Sequence, residues 1–107
     1  MNDVQNIYAA IPADIPGELF QDILTTGHFK VHRIVSKGHA SPEGFWYDQD
    51  QNEWVILLKG SAELVFEGND SIVKLRPGDY VNIPAHVKHR VEWTDPDNET
   101  VWIAVMY

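Results

Sequence analysis

The chain has 107 residues, 44% of them hydrophobic, with no cysteine and a formal charge of −8 from sixteen acidic and eight basic residues. That length suits one domain able to bury roughly 60 to 70% of its unfolded surface without cross-links. Disulfides, thiolate metal sites and a cysteine nucleophile are excluded, and the missing cysteines point to a cytoplasmic address. The acidic balance opposes phosphate neutralisation, so nucleic acid and anionic membrane are not expected partners. The start of the chain lacks a basic segment followed by an apolar run, and no stretch approaches the ~20 apolar residues of a membrane span.

In chain order, the first predicted element is a helix over 17–26. Pro16 precedes it, Gly27 closes it, and Leu19, Phe20, Ile23 and Leu24 recur at helical spacing. From His28 onward the pattern changes to short apolar runs separated by turn residues. Strands are expected near 28–36, 53–59, 61–67, 71–76, 80–83, 88–94 and 100–106, the pattern of an all-β barrel or sandwich. Gly60, Gly68-Asn69-Asp70, Pro77-Gly78-Asp79 and Asp95-Pro96-Asp97-Asn98 supply the reversals. The expected organisation is one domain over 1–107, with an N-terminal strand and helix in 1–27 and the barrel in 28–107.

Side-chain alternation predicts which residues point inward. Ala62, Leu64 and Phe66 share one face of their strand, with Glu63 and Glu67 on the other. In the run from Lys88, the polar set Lys88, Arg90 and Glu92 alternates with His89, Val91 and Trp93, so His89 is expected inside. His86 has the other parity and lies close to Pro84, which disturbs strand geometry. His28 and His32 share a parity with Lys30 and are expected on the surface. His39 falls in a loop and is expected away from the barrel mouth.

Two segments carry a family resemblance: Glu53 to Gly60, EWVILLKG, and Pro77 to His89, PGDYVNIPAHVKH. Together they resemble the paired signatures of a cupin of the RmlC-like kind, G-x5-H-x-H-x3,4-E-x6-G and G-x5-P-x-G-x2-H-x3-N. The match includes Glu53 with Gly60, and Gly78, Pro84 and His89. It departs at both histidines of the first segment, whose places are held by Tyr47 and Gln49 at the shorter spacing or Trp46 and Asp48 at the longer. His86 stands where the second segment has glycine. The resemblance implies a double-stranded β-helix, or jelly-roll barrel, and a single divalent metal ion held by converging side chains.

On that reading Glu53 and His89 are the surviving metal donors. Asp48 or Gln49 is a third, and His86 or Tyr47 a proton-transfer group. An oxygen-rich set of this kind suits iron, manganese, nickel or zinc. Read without the family, His89 is a hydrogen-bonded core histidine and Glu53 a partner for Arg33, Arg76 or Arg90. The aromatic run Phe45-Trp46-Tyr47, with Trp54, Trp93 and Trp102, either packs the core or lines a ligand pocket.

Two function classes follow. One is a small cupin that binds a divalent metal and a small polar metabolite, as an isomerase or dioxygenase. The other is a metal-free module that binds a sugar or small acid without turnover. A homodimer is expected through an edge strand formed by the apolar ends, Val4 to Ile11 and Val101 to Tyr107.

Overall fold

A computed structural model describes residues 4–69 and 71–107. Eight strands form two antiparallel sheets: β1 Leu19–Thr25, β2 Lys30–Ser36, β3 Glu53–Lys59, β4 Ala62–Phe66, β5 Val73–Leu75, β6 Tyr80–Ile83, β7 His89–Thr94 and β8 Thr100–Met106. The larger sheet runs β1-β2-β8-β3-β6 and the smaller β5-β4-β7. Their facing sides enclose Ile34, Val55, Leu57, Trp102 and Ala104 from one sheet and Ala62, Leu64, Leu75 and Val91 from the other. This is a jelly-roll barrel, and the all-β expectation holds. No helix among the described residues is long and apolar enough to cross a membrane.

The expected helix over 17–26 is corrected to strand β1, paired antiparallel with β2 from Leu19↔Val35 to Thr25↔Lys30. An isolated helix of ten residues is marginal in water, whereas the edge of β2 offers this segment a ladder of backbone partners. The helical spacing of its apolar residues arises because the register shifts between Asp22 and Leu24, a bulge that brings Leu24 to the face of Leu19 and Gln21. The turn from β1 to β2 is closed by Thr26, whose hydroxyl accepts from the amides of His28 and Phe29.

The edge-strand expectation for the C-terminal residues is also corrected. β8 lies between β2 and β3, so both sides of its backbone ladder are occupied. Among the described residues, 4–18 form no strand, and Ile7 to Ala10 instead cross the outer face of the larger sheet, held there by Arg33. Arg33 is 6% exposed, and its guanidinium donates to the carbonyl oxygens of Ile7, Ala9 and Ala10 and to the Gln21 side chain. Arg33 is therefore engaged by neutral acceptors rather than by Glu53.

Gly60 makes the reversal from β3 to β4 with φ of 88°. A Cβ there would stand 2.7 Å from Thr100 Cα, 2.8 Å from the Glu99 carbonyl oxygen and closer still to Thr100 Oγ1, so only glycine fits. This turn carries the chain from β3 in the larger sheet to β4 in the smaller one, so that Glu53 and Leu64 face the same interior.

Candidate functional site

β3 buries Val55 and Leu57 by strict alternation, and the same parity carries Glu53 inward at its first residue. β7 does the same with His89 and Val91. Both side chains therefore enter the barrel from strand ends at the same opening. His89 is 5% exposed and Glu53 9%, with Nε2 of the one 3.3 Å from Oε1 of the other.

The other ring nitrogen of His89 fixes the chemistry of this pair. Nδ1 lies 2.9 Å from the Val87 carbonyl oxygen, which can only accept, so Nδ1 carries a hydrogen. Nε2 then faces a carboxylate oxygen with either its own hydrogen or a bare lone pair. A lone pair against a carboxylate is repulsive unless a cation lies between them. Burial on its own would lower the His89 pKa, but the Glu53 carboxylate and the Val87 carbonyl together outweigh it and raise the value.

The loop from β2 to β3 supplies the next group. Tyr47 pairs with His89 by two backbone hydrogen bonds, of 2.7 and 3.1 Å, extending the smaller sheet by one bridge beyond β7. The rings stack, with centroids 5.5 Å apart and planes inclined by 24°, and Phe45 meets Tyr47 edge-on at 4.9 Å. The Tyr47 phenol is pushed up to about 12 by burial, with the charges of Glu18 and Glu53 adding to it. It is a neutral hydrogen-bonding group across the ordinary pH range.

The loop also separates Asp48 from Gln49. Gln49 lines the cavity, while Asp48 turns outward and its Oδ1 lies 2.8 Å from His86 Nδ1. His86 is exposed, with Nε2 3.5 Å from Asp50, and is not among the residues lining the cavity. Its φ of 64° is left-handed, the conformation for which glycine is suited, and histidine occupies it with its ring held by Asp48. The His86 amide donates to the Gln49 carbonyl at 2.8 Å and the Ala85 amide to Asn52 Oδ1 at 2.9 Å. These bonds staple the two loops across the barrel mouth.

The cavity beneath has a volume of about 50 Å³. Its floor is apolar, formed by Ile34, Val55, Leu64, Ile83, Val91 and Trp102, and its polar groups are Glu18, Tyr47, Gln49, Glu53 and His89. No Lys or Arg lines it. Glu18 is absent from the sequence reading of the site. It lies one residue before β1, opposite Ser36 in the β1–β2 register, and accepts a 2.5 Å hydrogen bond from the Ser36 hydroxyl. Its parity with Phe20 would have placed it inside, but only for a strand, and the helical spacing concealed that. Burial raises the Glu18 pKa and the Glu53 charge adds to this, against the lowering effects of Ser36 and His39.

The remaining predicted residues lie elsewhere. His28 is exposed, and His32 Nδ1 is 2.9 Å from Asp22 Oδ1. His39 Nδ1 accepts from the Lys37 amide, and neither His39 nor Trp46 lines the cavity. Arg90 engages the Ser41 carbonyl and Glu92 rather than Glu53.

Residues 31–106 match the model of the cupin domain. The chain belongs to the cupin family. This cupin is similar over its whole length to the structure of a candidate mannose-6-phosphate isomerase from Ralstonia eutropha JMP134, at 46% identity and a TM-score of 0.93, covering 98% of this chain and 97% of that one. An RmlC-like cupin from Desulfovibrio desulfuricans shares the fold at 16% identity and a TM-score of 0.74, with 99% and 97% covered. A cupin domain from Bordetella pertussis Tohama I does so at 19% identity and 0.66, with 89% and 97% covered. No curated protein matches the sequence.

For a metal, the donor set of this cupin is sparse. Glu53 and His89 converge, and the neutral Gln49 amide lines the same cavity. No group of three or more His, Cys, Asp and Glu residues positioned to hold a metal occurs among the described residues. The pair offers a divalent ion two donors, an imidazole nitrogen turned toward a carboxylate.

Proposed function

We propose that this cupin binds a small polar metabolite in the barrel cavity, beside an open divalent metal site formed by Glu53, His89 and Gln49. The observation that carries the reading is the facing of Glu53 Oε1 and His89 Nε2 at 3.3 Å, with Nδ1 committed to Val87. Two firm donors and one neutral amide leave coordination positions for water or ligand. A bound ion would act as a Lewis acid on a carbonyl or hydroxyl oxygen. Iron, manganese, nickel and zinc all suit the donors.

The chain's own residues account for orientation and exclusion of water. Tyr47, stacked on His89, offers a neutral phenol to a ligand oxygen, and the apolar floor keeps the polar groups desolvated. His86 and Asp48, paired with each other outside the cavity lining, have no part in the proposed site. An isomerase acting on a hydroxy-carbonyl compound fits these groups, and the 46% identical neighbour, a candidate mannose-6-phosphate isomerase, supports that class. The proposed assembly is a homodimer. Apolar Trp54, Ile56, Ile103 and Val105 lie half-buried on the outer face of the larger sheet, beside the exposed ring of Tyr80.

A second reading has its own support in the lack of a third acidic or imidazole donor among the described residues. In it the cavity binds a neutral ligand without metal, and a proton shared between His89 and Glu53 takes the place of the ion. Metal content measured by mass spectrometry on protein purified without chelator separates the two. Near-stoichiometric metal in the wild type, lost in both H89A and E53A with the fold intact, is the expected result. Metal-free wild type after reconstitution overturns the metal site and leaves the second reading.

A further inference from the structure

The metal site leaves one carboxyl of the cavity without a role. Trp102 Nε1, which can only donate, lies 3.3 Å from Ser36 Oγ and occupies an acceptor position there. The Ser36 hydrogen is thereby directed to Glu18 Oε2, at 2.5 Å. Oε2 is thus an acceptor, and Glu18 Oε1 has no hydrogen-bond partner among the described residues. Glu18 and Trp102 both line the cavity, Ser36 is fully buried, and burial favours the protonated form of the Glu18 carboxyl. With Oε2 accepting, a hydrogen carried by this carboxyl would sit on Oε1.

We infer that Glu18 is a ligand-binding residue, whose Oε1–H donates a hydrogen bond to an uncharged carbonyl or hydroxyl oxygen of a small ligand in the cavity. It does so from the β1–β2 wall, while Glu53 and His89 face the same space from β3 and β7. The inference rests on the reading that the cavity holds a small polar ligand, and it narrows the ligand's chemistry. In the metal-free protein a carboxylate or phosphate brought inside would meet Glu53 with no Lys or Arg in the lining to balance it. The cavity of about 50 Å³ has room for about three to five waters, hence for one neutral end of a hydroxy-carbonyl compound. Any charged group on such a ligand stays outside the mouth.

The test is a ligand-observed NMR titration of the metal-free protein with dihydroxyacetone as the neutral probe and lactate as the anionic one, in wild type, E18Q and E18A. A glutamine at this position keeps a carbonyl for Ser36 and an N–H for the ligand, whereas alanine keeps neither. Dihydroxyacetone is expected to bind E18Q within about twofold of wild type and E18A about tenfold more weakly. Lactate is expected to bind more weakly than dihydroxyacetone to the wild type. Wild-type affinity in E18A overturns the role of Glu18 while leaving the ligand reading intact, and loss in E18Q equal to that in E18A overturns the donor assignment. Lactate binding as well as dihydroxyacetone overturns the selection for a neutral oxygen. If neither probe binds the wild type, the small-ligand reading itself fails, and this inference with it. A ligand-free check is the infrared carboxylic-acid band at neutral pH, expected in the wild type and missing from E18Q; its absence from the wild type overturns the proposal.

Discussion

His89 Nε2 stands 3.3 Å from Glu53 Oε1 while its Nδ1 is tied to the Val87 carbonyl, so the buried imidazole is anchored on one side and faces a carboxylate on the other. In metal-free protein the Glu53 carboxylate and the Val87 carbonyl favour a proton in this gap. The folded His89 pKa is raised, so the pair's contribution is fully present below the unfolded value of about 6.5 and is lost as pH rises through the folded value. Urea denaturation of metal-free protein across that window should show wild-type stability falling with pH. E53Q should remove this dependence and cost about 1–2 kcal/mol on the acidic side. Equal pH slopes in the two proteins would count against the ion pair.

The loop over the barrel mouth separates two neighbouring residues by direction. Gln49 lines the cavity and Asp48 holds His86 outside it. Q49A should weaken metal binding several-fold, as measured by competition with a chromogenic chelator, and D48A should leave it within about twofold. A larger effect from D48A than from Q49A would reverse the assignment of the third donor.

Tyr47 combines a stacked ring with a phenol pushed up to about 12. Burial disfavours the phenolate, so its contribution to stability is present below the unfolded value of about 10 and is lost as pH rises from there toward about 12. Absorbance titration should show one of the four tyrosines ionising last, and Y47F should remove that step. Y47F keeps the ring and its packing on His89, so dihydroxyacetone affinity should fall several-fold with little change in melting temperature. Unchanged affinity would remove the phenol from the ligand's hydrogen-bonding set.

At Gly60 a Cβ meets the Thr100 backbone at 2.7 Å in a left-handed conformation. G60A should destabilise the fold by about 2–3 kcal/mol in chemical denaturation, through strain and a steric clash with neighbouring backbone. A loss below about 0.5 kcal/mol would mean that the turn shifts freely, contrary to its close packing on Thr100.

Sequence alone was sufficient for the barrel. Its period-2 runs and Gly, Pro, Asn and Asp reversals placed every strand from β2 to β8 to within a few residues, because alternation and turn chemistry are local properties. Parity likewise put His89 inside, since one face of β7 is apolar. The segment 17–26 misled because a bulge in an edge strand spaces apolar residues much as a helix does, and only the free edge of β2 decides between the two. Whether Asp48 or Gln49 faces inward lay beyond parity, because a loop has no fixed period, and the cross-loop bonds from Ala85 and His86 set the direction. Glu18, Ser36 and Trp102 meet across 84 residues of chain by strand pairing and packing alone. The sequence by itself thus determined the cupin barrel and the Glu53–His89 pair at its mouth. Tertiary structure decided the remaining polar groups of the cavity, because loop direction and long-range strand pairing depend on partners that no local pattern encodes.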